Sequence, residues 1–382
     1  MDIKRGKRVL LIENFASDFY KARVPFCKFL IAKGWDVYAL VPNDHYLELI
    51  QKEGIHVIGY DLNRKDKGLF QLIRLIKIYH QIIKQHNIDI IHSFRFQPNL
   101  LNVLANFFNK RKVILHITGL GIAFSNHTPY YLFLRIFSQV IFQIKFFRSD
   151  RVIVQNEDDA KDIWFAGSWK KKLHVIKGSG VNTAYFDADL FDKTALKKSY
   201  NIKDHSIVFI LVTRLIWEKG IKELTDAFGL LQKKHKNIKL WIVGWTDKDN
   251  PRHVDEDFIN SFENNDSIFF LGKKDNIREL LAVSDVFIYP SYYREGIPRS
   301  ILEALSMGLP VITTDTPGCN LTVVPGENGY LIDPRSSEDI KDSVTRLIDH
   351  DDLKKMGIRS RELAENKFSN SIIFSQFEKL YA

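Results

Sequence analysis

Short runs of β-branched residues alternate with helix-length amphipathic stretches through most of this sequence, and that alternation leaves few folds open. In the first half, strands are expected at Arg8–Ile12, Asp36–Val41, His56–Gly59, Asp89–His92, Lys112–Ile117, Arg151–Val154 and Leu173–Ile176. Segments of helical period fall between most of them, among them Phe19–Lys33 and Gln97–Phe108. The rhythm stops near Lys177–Lys203, around a Gly-Ser-Gly, and restarts with Ile207–Val212, Ile238–Val243, Ser267–Leu271, Val286–Ile288 and Val311–Thr313. Strand–helix–strand order of this kind specifies parallel sheets covered on both faces by helices. The expectation is therefore an α/β chain of two Rossmann-like, doubly wound domains, 1–180 and 181–366, with a closing helix over 367–382 that packs back on the first domain. A chain of 382 residues suits two cores better than one. Ligands in such folds bind at the carboxyl ends of the strands, so the active site is expected in a cleft between two sheet edges.

Charge is divided unevenly. Residues 1–180 hold 28 Lys and Arg against 15 Asp and Glu, a surplus of 13, whereas the remainder holds 27 against 31. A basic half attracts polyanions: nucleic acid, an anionic membrane or a phosphate-bearing substrate. Two segments, Leu69–Lys84 and Tyr130–Arg151, interleave apolar and aromatic residues with Lys and Arg. Neither is an unbroken apolar span long enough to cross a bilayer. The first reads as a core-facing helix with a wet basic face. The second, with seven aromatics, fits equally an interfacial helix lying on lipid headgroups. The apolar run after the basic start ends at Glu13, so no secretion signal is expected. Cys27 and Cys319 match no metal-ligand spacing and read as reduced, structural thiols.

The segment with the most chemistry is Ser291–Pro310, SYYREGIPRSILEALSMGLP. It runs from a strand through a loop into a helix expected to begin near Pro298, with proline in its first turn. Gly296 lets backbone approach a ligand, and the helix N-terminus offers unpaired N–H groups to an anion. Glu295 in the loop and Glu303 in the helix can each accept two hydroxyl hydrogen bonds, as a polyhydroxyl ligand requires. Taken alone, the pair equally describes two surface acids. Thr213–Gly220, TRLIWEKG, supplies the context: Arg214 at the end of a strand and Lys219 opening the next helix can neutralise a diphosphate. No metal-ligand cluster is expected: Asp315 stands alone, and Asp247 and Asp249 read as solvated.

These stretches resemble the retaining glycosyltransferases of family 4, which have the GT-B fold. TRLIWEKGIKEL, LGKKDNIRELLAVSDVFIYPS, YREGIPRSILEALSMGLPVITTDTPG and NGYLIDP occur in family order over most of residues 206–333. The resemblance implies that Arg214 and Lys219 hold the donor diphosphate and Glu303 the ribose. It places Glu295, Gly296, Ile297, Pro298 and Arg299 against sugar and phosphate, and the Leu271–Ile277 loop against the base. Glu295, Arg214 and Lys219 would carry the catalytic role. It also implies front-face attack, with the leaving diphosphate helping to remove the acceptor proton, no covalent glycosyl-enzyme, no metal and no cofactor beyond a UDP-sugar co-substrate.

In the first half the match is looser, through DIIH at Asp89–His92 and GSGV at Gly178–Val181. The glycine-rich loop many members carry after the first strand is replaced by ENFASDFYKARVPF. That segment, with Thr118–Gly121 (TGLG), resembles the subgroup acting on polyprenyl-diphosphate-linked sugars in O-antigen and capsule assembly. The implied acceptor is an undecaprenyl-diphosphate-linked saccharide, with Arg23, His92, His116, Thr118 and Gly119 on the acceptor side. His116 and His92 read as structural or acceptor-side residues and not as catalytic bases, and His116 shares a strand face with Thr118 if the strand continues. The transferred sugar would be a HexNAc or hexose, for example GalNAc. The enzyme would work in the cytoplasm, peripherally on the inner face of the cytoplasmic membrane, with an anionic membrane surface as partner and no nucleic acid.

Three other readings compete. A dinucleotide-binding oxidoreductase fails because Phe124 stands where the third glycine after Gly119 and Gly121 belongs. An epimerase or hydrolase of nucleotide sugars shares fold and donor and is separated by product analysis. A non-catalytic protein bound to anionic lipid or nucleic acid accounts for the basic half but not for Arg214, Lys219, Glu295 and Glu303.

Overall fold

The computed structural model describes residues 6–62, 68–108, 111–125, 128–248, 250–349 and 353–382. The chain divides into two compact units, Met1–Ser179 with Ile373–Ala382, and Gly180–Ile372. Asp249 lies outside the described residues.

Unit 1 is a seven-stranded parallel sheet. Its strands are β1 (Arg8–Ile12), β2 (Asp36–Pro42), β3 (His56–Tyr60), β4 (Ile90–Phe94), β5 (Lys112–Ile117), β6 (Arg151–Val154) and β7 (Leu173–Val175), in the order β3-β2-β1-β4-β5-β6-β7. Period-two alternation sends Leu10 and Ile12 into one buried cluster and Val9 and Leu11 into another, so both faces are covered. The segment Phe19–Lys33 is two helices, Ala16–Ala22 and Val24–Ala32, separated at Arg23. Pro25 explains the break, since it cannot donate within a continuous helix but suits a first turn. Ile373, Phe374, Phe377 and Tyr381 pack into the same cluster as Val9 and Leu11. Each fully buried side chain of this size contributes about 1.5–3 kcal/mol.

Unit 2 is a six-stranded parallel sheet with strands β8 (Ile207–Val212), β9 (Ile238–Val243), β10 (Ile268–Gly272), β11 (Val286–Tyr289), β12 (Val311–Thr314) and β13 (Gly329–Ile332). Their order is β10-β9-β8-β11-β12-β13. β13 escaped sequence reading because its four residues include an opening glycine and only three hydrophobics. The polar stretch before β8 is not bare linker: Lys193–Ser199 is a helix, capped by the Asp192 side chain on the Ala195 N–H.

His92 on β4 and His116 on β5 are fully buried. Their rings stack at 5.8 Å, and His92 Nδ1 lies 2.7 Å from the Tyr381 hydroxyl. Burial, with Arg23 nearby, holds both imidazoles well below their ordinary pKa, so both are neutral in the folded chain. Unfolding frees them to bind protons below about pH 6.5. Stability is therefore complete above that value and declines as pH falls from there towards the depressed folded values, by at most about 1.4 kcal/mol per pH unit for each histidine. Urea unfolding followed between pH 7.5 and 5 is expected to show this decline, and the variant His92→Gln/His116→Gln a shallower one. An unchanged slope in the variant would assign the acid sensitivity to other groups.

Candidate functional site

Each sheet reverses its winding beside its first strand, between β1 and β4 in unit 1 and between β8 and β11 in unit 2. Crossovers leave in opposite directions there, which opens a crevice at the strands' carboxyl ends.

In unit 2 the loops after β8 and β11 meet at that crevice. Gly220 has φ of +72°, and a Cβ on it would stand 2.2 Å from the Pro290 carbonyl oxygen, so only glycine allows the approach. The Tyr292 N–H donates to the Glu218 carbonyl at 2.9 Å and laces the loops further. Lys219 does not open the following helix. It closes a 3-10 turn, Trp217–Lys219, and the helix begins at Ile221 after Gly220 turns the chain. That turn buries the lysine to 3% exposure. Its Nζ donates to Glu295 Oε1 at 2.5 Å and to the Tyr289 hydroxyl at 2.8 Å. Tyr289 and Ser291 each donate to the same Oε1 at 3.0 Å. Burial lowers the Lys219 pKa; Glu295 opposes the shift, and Arg214 adds to it through like-charge repulsion. Among the described residues Arg214 makes no ion pair, so its charge is left over beside the Lys219–Glu295 pair and the crevice can still take up negative charge.

The Glu295 loop is fixed from behind. Thr313 Oγ1 donates to the Tyr289 carbonyl at 2.7 Å, and Thr314 Oγ1 to the Ser291 carbonyl at 2.5 Å. Gly318, at φ of +88°, lies so close to Gly296 that a Cβ would sit 2.0 Å from its carbonyl oxygen. Gly296, Ile297 and Pro298 are buried. Pro298 is the residue before the helix and not its first turn: the helix is Arg299–Ser306, with no side chain capping its start. Its first N–H groups are therefore open to an anion. Arg299 reaches one turn along to Glu303, 2.8 Å away. At the Leu271–Ile277 loop, Asn276 donates to Tyr200 and Glu279. Asp315 is held by Asn320 at 2.9 Å, and no cluster of three His, Cys, Asp or Glu able to hold a metal occurs among the described residues.

In unit 1 the crevice holds Glu13, directly after β1, and Arg95, directly after β4. Glu13 is fully buried between Arg95 Nε at 2.9 Å and Arg23 at 3.5 Å. Burial raises the Glu13 pKa, and the two guanidinium groups pull it back. Arg23 is itself buried, stacked 3.8 Å from the Phe94 ring centroid, while Arg95 is more open and also pairs with Asp18. Arg95 takes φ of +74°, unusual for a side chain of its size, with its N–H on the His116 carbonyl at 3.0 Å. β5 ends at Ile117, so Thr118 and Gly119 are half-buried loop residues and do not extend the strand face of His116. Gly119–Gly121 leads into a short 3-10 turn, and the next helix starts only at Pro129, so no dinucleotide-type glycine turn forms. His92 and His116 lie beneath this surface, without exposure.

Sequence reading missed Tyr289, Ser291, Thr314, Glu13 and Arg95. The available signal was position: each stands at or just past the carboxyl end of a strand, in four of the five cases beside a strand-order reversal that only topology reveals. Tyr289→Phe removes a buried hydroxyl shared by Lys219 and Glu295, and is expected to destabilise unit 2 by about 1–3 kcal/mol. Denaturant unfolding checks this, and an unchanged midpoint would mean that the hydroxyl does not hold the pair.

Comparison with known proteins agrees with both halves. Residues 8–156 match the family model described as glycosyl transferase 4-like, and residues 192–363 the one described as glycosyl transferases group 1. Over 378 residues, 98% of each chain, the sequence is 25% identical to the N,N'-diacetylbacillosaminyl-diphospho-undecaprenol alpha-1,3-N-acetylgalactosaminyltransferase of Campylobacter jejuni. It is 26% identical to the UDP-Gal:alpha-D-GlcNAc-diphosphoundecaprenol alpha-1,3-galactosyltransferase of Escherichia coli, over 87% of this chain and 88% of that one. The crystal structure of Anabaena HepE with UDP and glucose shares the fold at a TM-score of 0.79 and 19% identity, over 98% of each chain. The chain thus belongs to the glycosyltransferases of the GT-B class that join a 4-like domain to a group 1 domain.

Proposed function

We propose that the protein is a retaining glycosyltransferase that moves a HexNAc or hexose, such as GalNAc, from a UDP-sugar to an undecaprenyl-diphosphate-linked saccharide in surface polysaccharide assembly. The observation that carries the donor half is the pair of cations Arg214 and Lys219 at the strand-order reversal of unit 2, with Lys219 bonded to Glu295 in the loop that leads into the uncapped Arg299–Ser306 helix. The names of the relatives from C. jejuni and E. coli support the acceptor half.

In this reading Arg214, Lys219 and the open helix start receive the donor diphosphate. Glu303 accepts from the ribose hydroxyls. Glu295, held by Tyr289 and Ser291, faces the sugar together with the Gly296–Arg299 backbone. Charge develops on the departing UDP, and the two cations stabilise it without reorganising. The leaving diphosphate helps take the acceptor proton, and no metal or further cofactor takes part. In unit 1, Arg95 is the cation open to an acceptor phosphate, with Arg23 behind it and Thr118 and Gly119 at the same sheet edge. His92 and His116 support that edge from below. The enzyme works peripherally on the inner face of the cytoplasmic membrane.

The test is a panel of nucleotide sugars with a short polyprenyl-diphosphate-sugar acceptor, read by mass spectrometry. A product heavier by one sugar is expected with a UDP-sugar, and Lys219→Ala and Glu303→Ala are expected to cut its formation by about 100-fold or more while circular dichroism stays unchanged. Release of UDP or isomerisation of the sugar without transfer would replace this reading by the hydrolase or epimerase one. Full activity in either variant would remove that residue from the donor site.

A further inference from the structure

The helix Pro129–Arg148 is apolar on both sides: Ile141, Phe142 and Phe146 are buried on the inner one, and large apolar residues also line the outer one. A surface helix normally turns its polar side chains to water and its apolar ones to the core. Here Gln139 and Lys145 are buried together with the inner apolar residues, and the side facing water is left apolar. Gln139 is buried and bridges the Asp162 carbonyl and the Trp164 N–H, at 2.6 and 2.9 Å. Lys145 is buried with its Nζ 3.1 Å from the Phe96 carbonyl. Arg148 donates to the Asn106 carbonyl at 2.7 Å. Outward, Tyr130, Phe133, Phe137, Val140, Ile144 and Phe147 succeed one another at steps of three and four residues, all between 42% and 68% exposed. Leu132 and Ile136 widen the stripe, and from Tyr130 to the helix end no charged residue is among the exposed ones. Twenty residues make a ridge about 30 Å long.

Its polar contacts fix further aromatics alongside. Gln139 and Gln143 hold the backbone of Trp164, which with Phe165 is itself exposed, and Arg148 holds the turn bearing Phe107 and Phe108. An apolar surface of this extent marks an interaction site. No helix among the described residues is long and apolar enough to cross a membrane.

We propose that this ridge seats the protein in an anionic lipid bilayer, with the helix lying in the plane of the interface. Charge selects this occupant over a second copy of the chain. Lys172 donates to the carbonyls of Phe146 and Phe147, which brings the exposed Lys170 and Lys171 beside the ridge's end. The half of the sequence bearing the ridge has a surplus of 13 positive charges. Anionic headgroups attract that charge, whereas two such units placed face to face repel. With Lys145 buried and Arg135 and Arg148 only half-exposed, the outer face presents no fully exposed charge that insertion would have to dehydrate. The inference deepens the membrane part of the proposed function and rests on that reading for its biological setting, but its test needs no sugar transfer.

The experiment is sedimentation of the full-length protein with acceptor-free vesicles of phosphatidylglycerol and phosphatidylcholine, or of phosphatidylcholine alone, at low and high salt, beside analytical ultracentrifugation without lipid. Binding to the anionic vesicles is expected. Phe133→Gln/Phe137→Gln should weaken it about tenfold or more at either salt concentration. Lys170→Glu/Lys171→Glu should weaken it mainly at low salt. The substituted side chains are exposed, and an unchanged unfolding midpoint confirms that each variant folds. Wild-type protein that ignores both vesicles, or aromatic variants that bind as well as wild type, overturns the proposal. A dimer that Phe133→Gln/Phe137→Gln converts to monomer, with no vesicle binding, assigns the ridge to a second copy instead. Failure of transfer in the donor panel, with ridge-dependent vesicle binding intact, removes the enzymatic reading and leaves this one standing.

Discussion

A parallel sheet whose crossovers change direction beside its first strand cannot cover the carboxyl ends of the two strands flanking the change. Both units are organised around that opening. In unit 2 it lies between β8 and β11, and nearly every residue with chemistry to offer stands on the two loops leaving those strands. The loops are kept there by backbone fit. Gly220 admits the Pro290 carbonyl, Gly318 admits that of Gly296, and Thr313 and Thr314 tie down the carbonyls of Tyr289 and Ser291. The side chains of the candidate site project from a framework that a Cβ at Gly220 or Gly318 would break.

Electrostatics follow from that burial. A lysine as enclosed as Lys219 needs a countercharge, and Glu295 supplies it, with Tyr289 and Ser291 sharing the carboxylate. Arg214 stays outside the pairing, so the crevice keeps an unbalanced positive charge for an anionic ligand. Unit 1 solves a related problem with the opposite balance. One fully buried carboxylate, Glu13, gathers two arginines, and Asp18 takes part of the charge of Arg95. That cluster is closer to neutral, and its open member is Arg95, which holds its position with a left-handed backbone.

Much of the fold was legible because buried parallel strands leave near-continuous apolar, β-branched runs, and β1, β5, β6, β8 and β9 begin and end where those runs do. β13 was not, since four residues opened by glycine carry too little pattern. The helix break at Arg23 was signalled by Pro25, yet hydrophobic period ran across it. In the site, Arg214, Lys219, Glu295 and Glu303 were readable from charge beside strand ends and glycines. Glu13 and Arg95 were not, because their partnership joins residues 82 positions apart across a strand order that local sequence does not encode. The outward apolar face of Pro129–Arg148 was visible only as an aromatic-rich helix. Which way it turned depended on where Gln139 and Lys145 find hydrogen-bond partners.

In the proposed function a nucleoside diphosphate binds at the reversal between β8 and β11. A crystal structure of the protein with UDP tests it most directly. Diphosphate oxygens are expected about 3 Å from the Arg214 guanidinium and from Lys219 Nζ, at the start of the Arg299–Ser306 helix. UDP ordered elsewhere, or in that crevice but away from both cations, would contradict it.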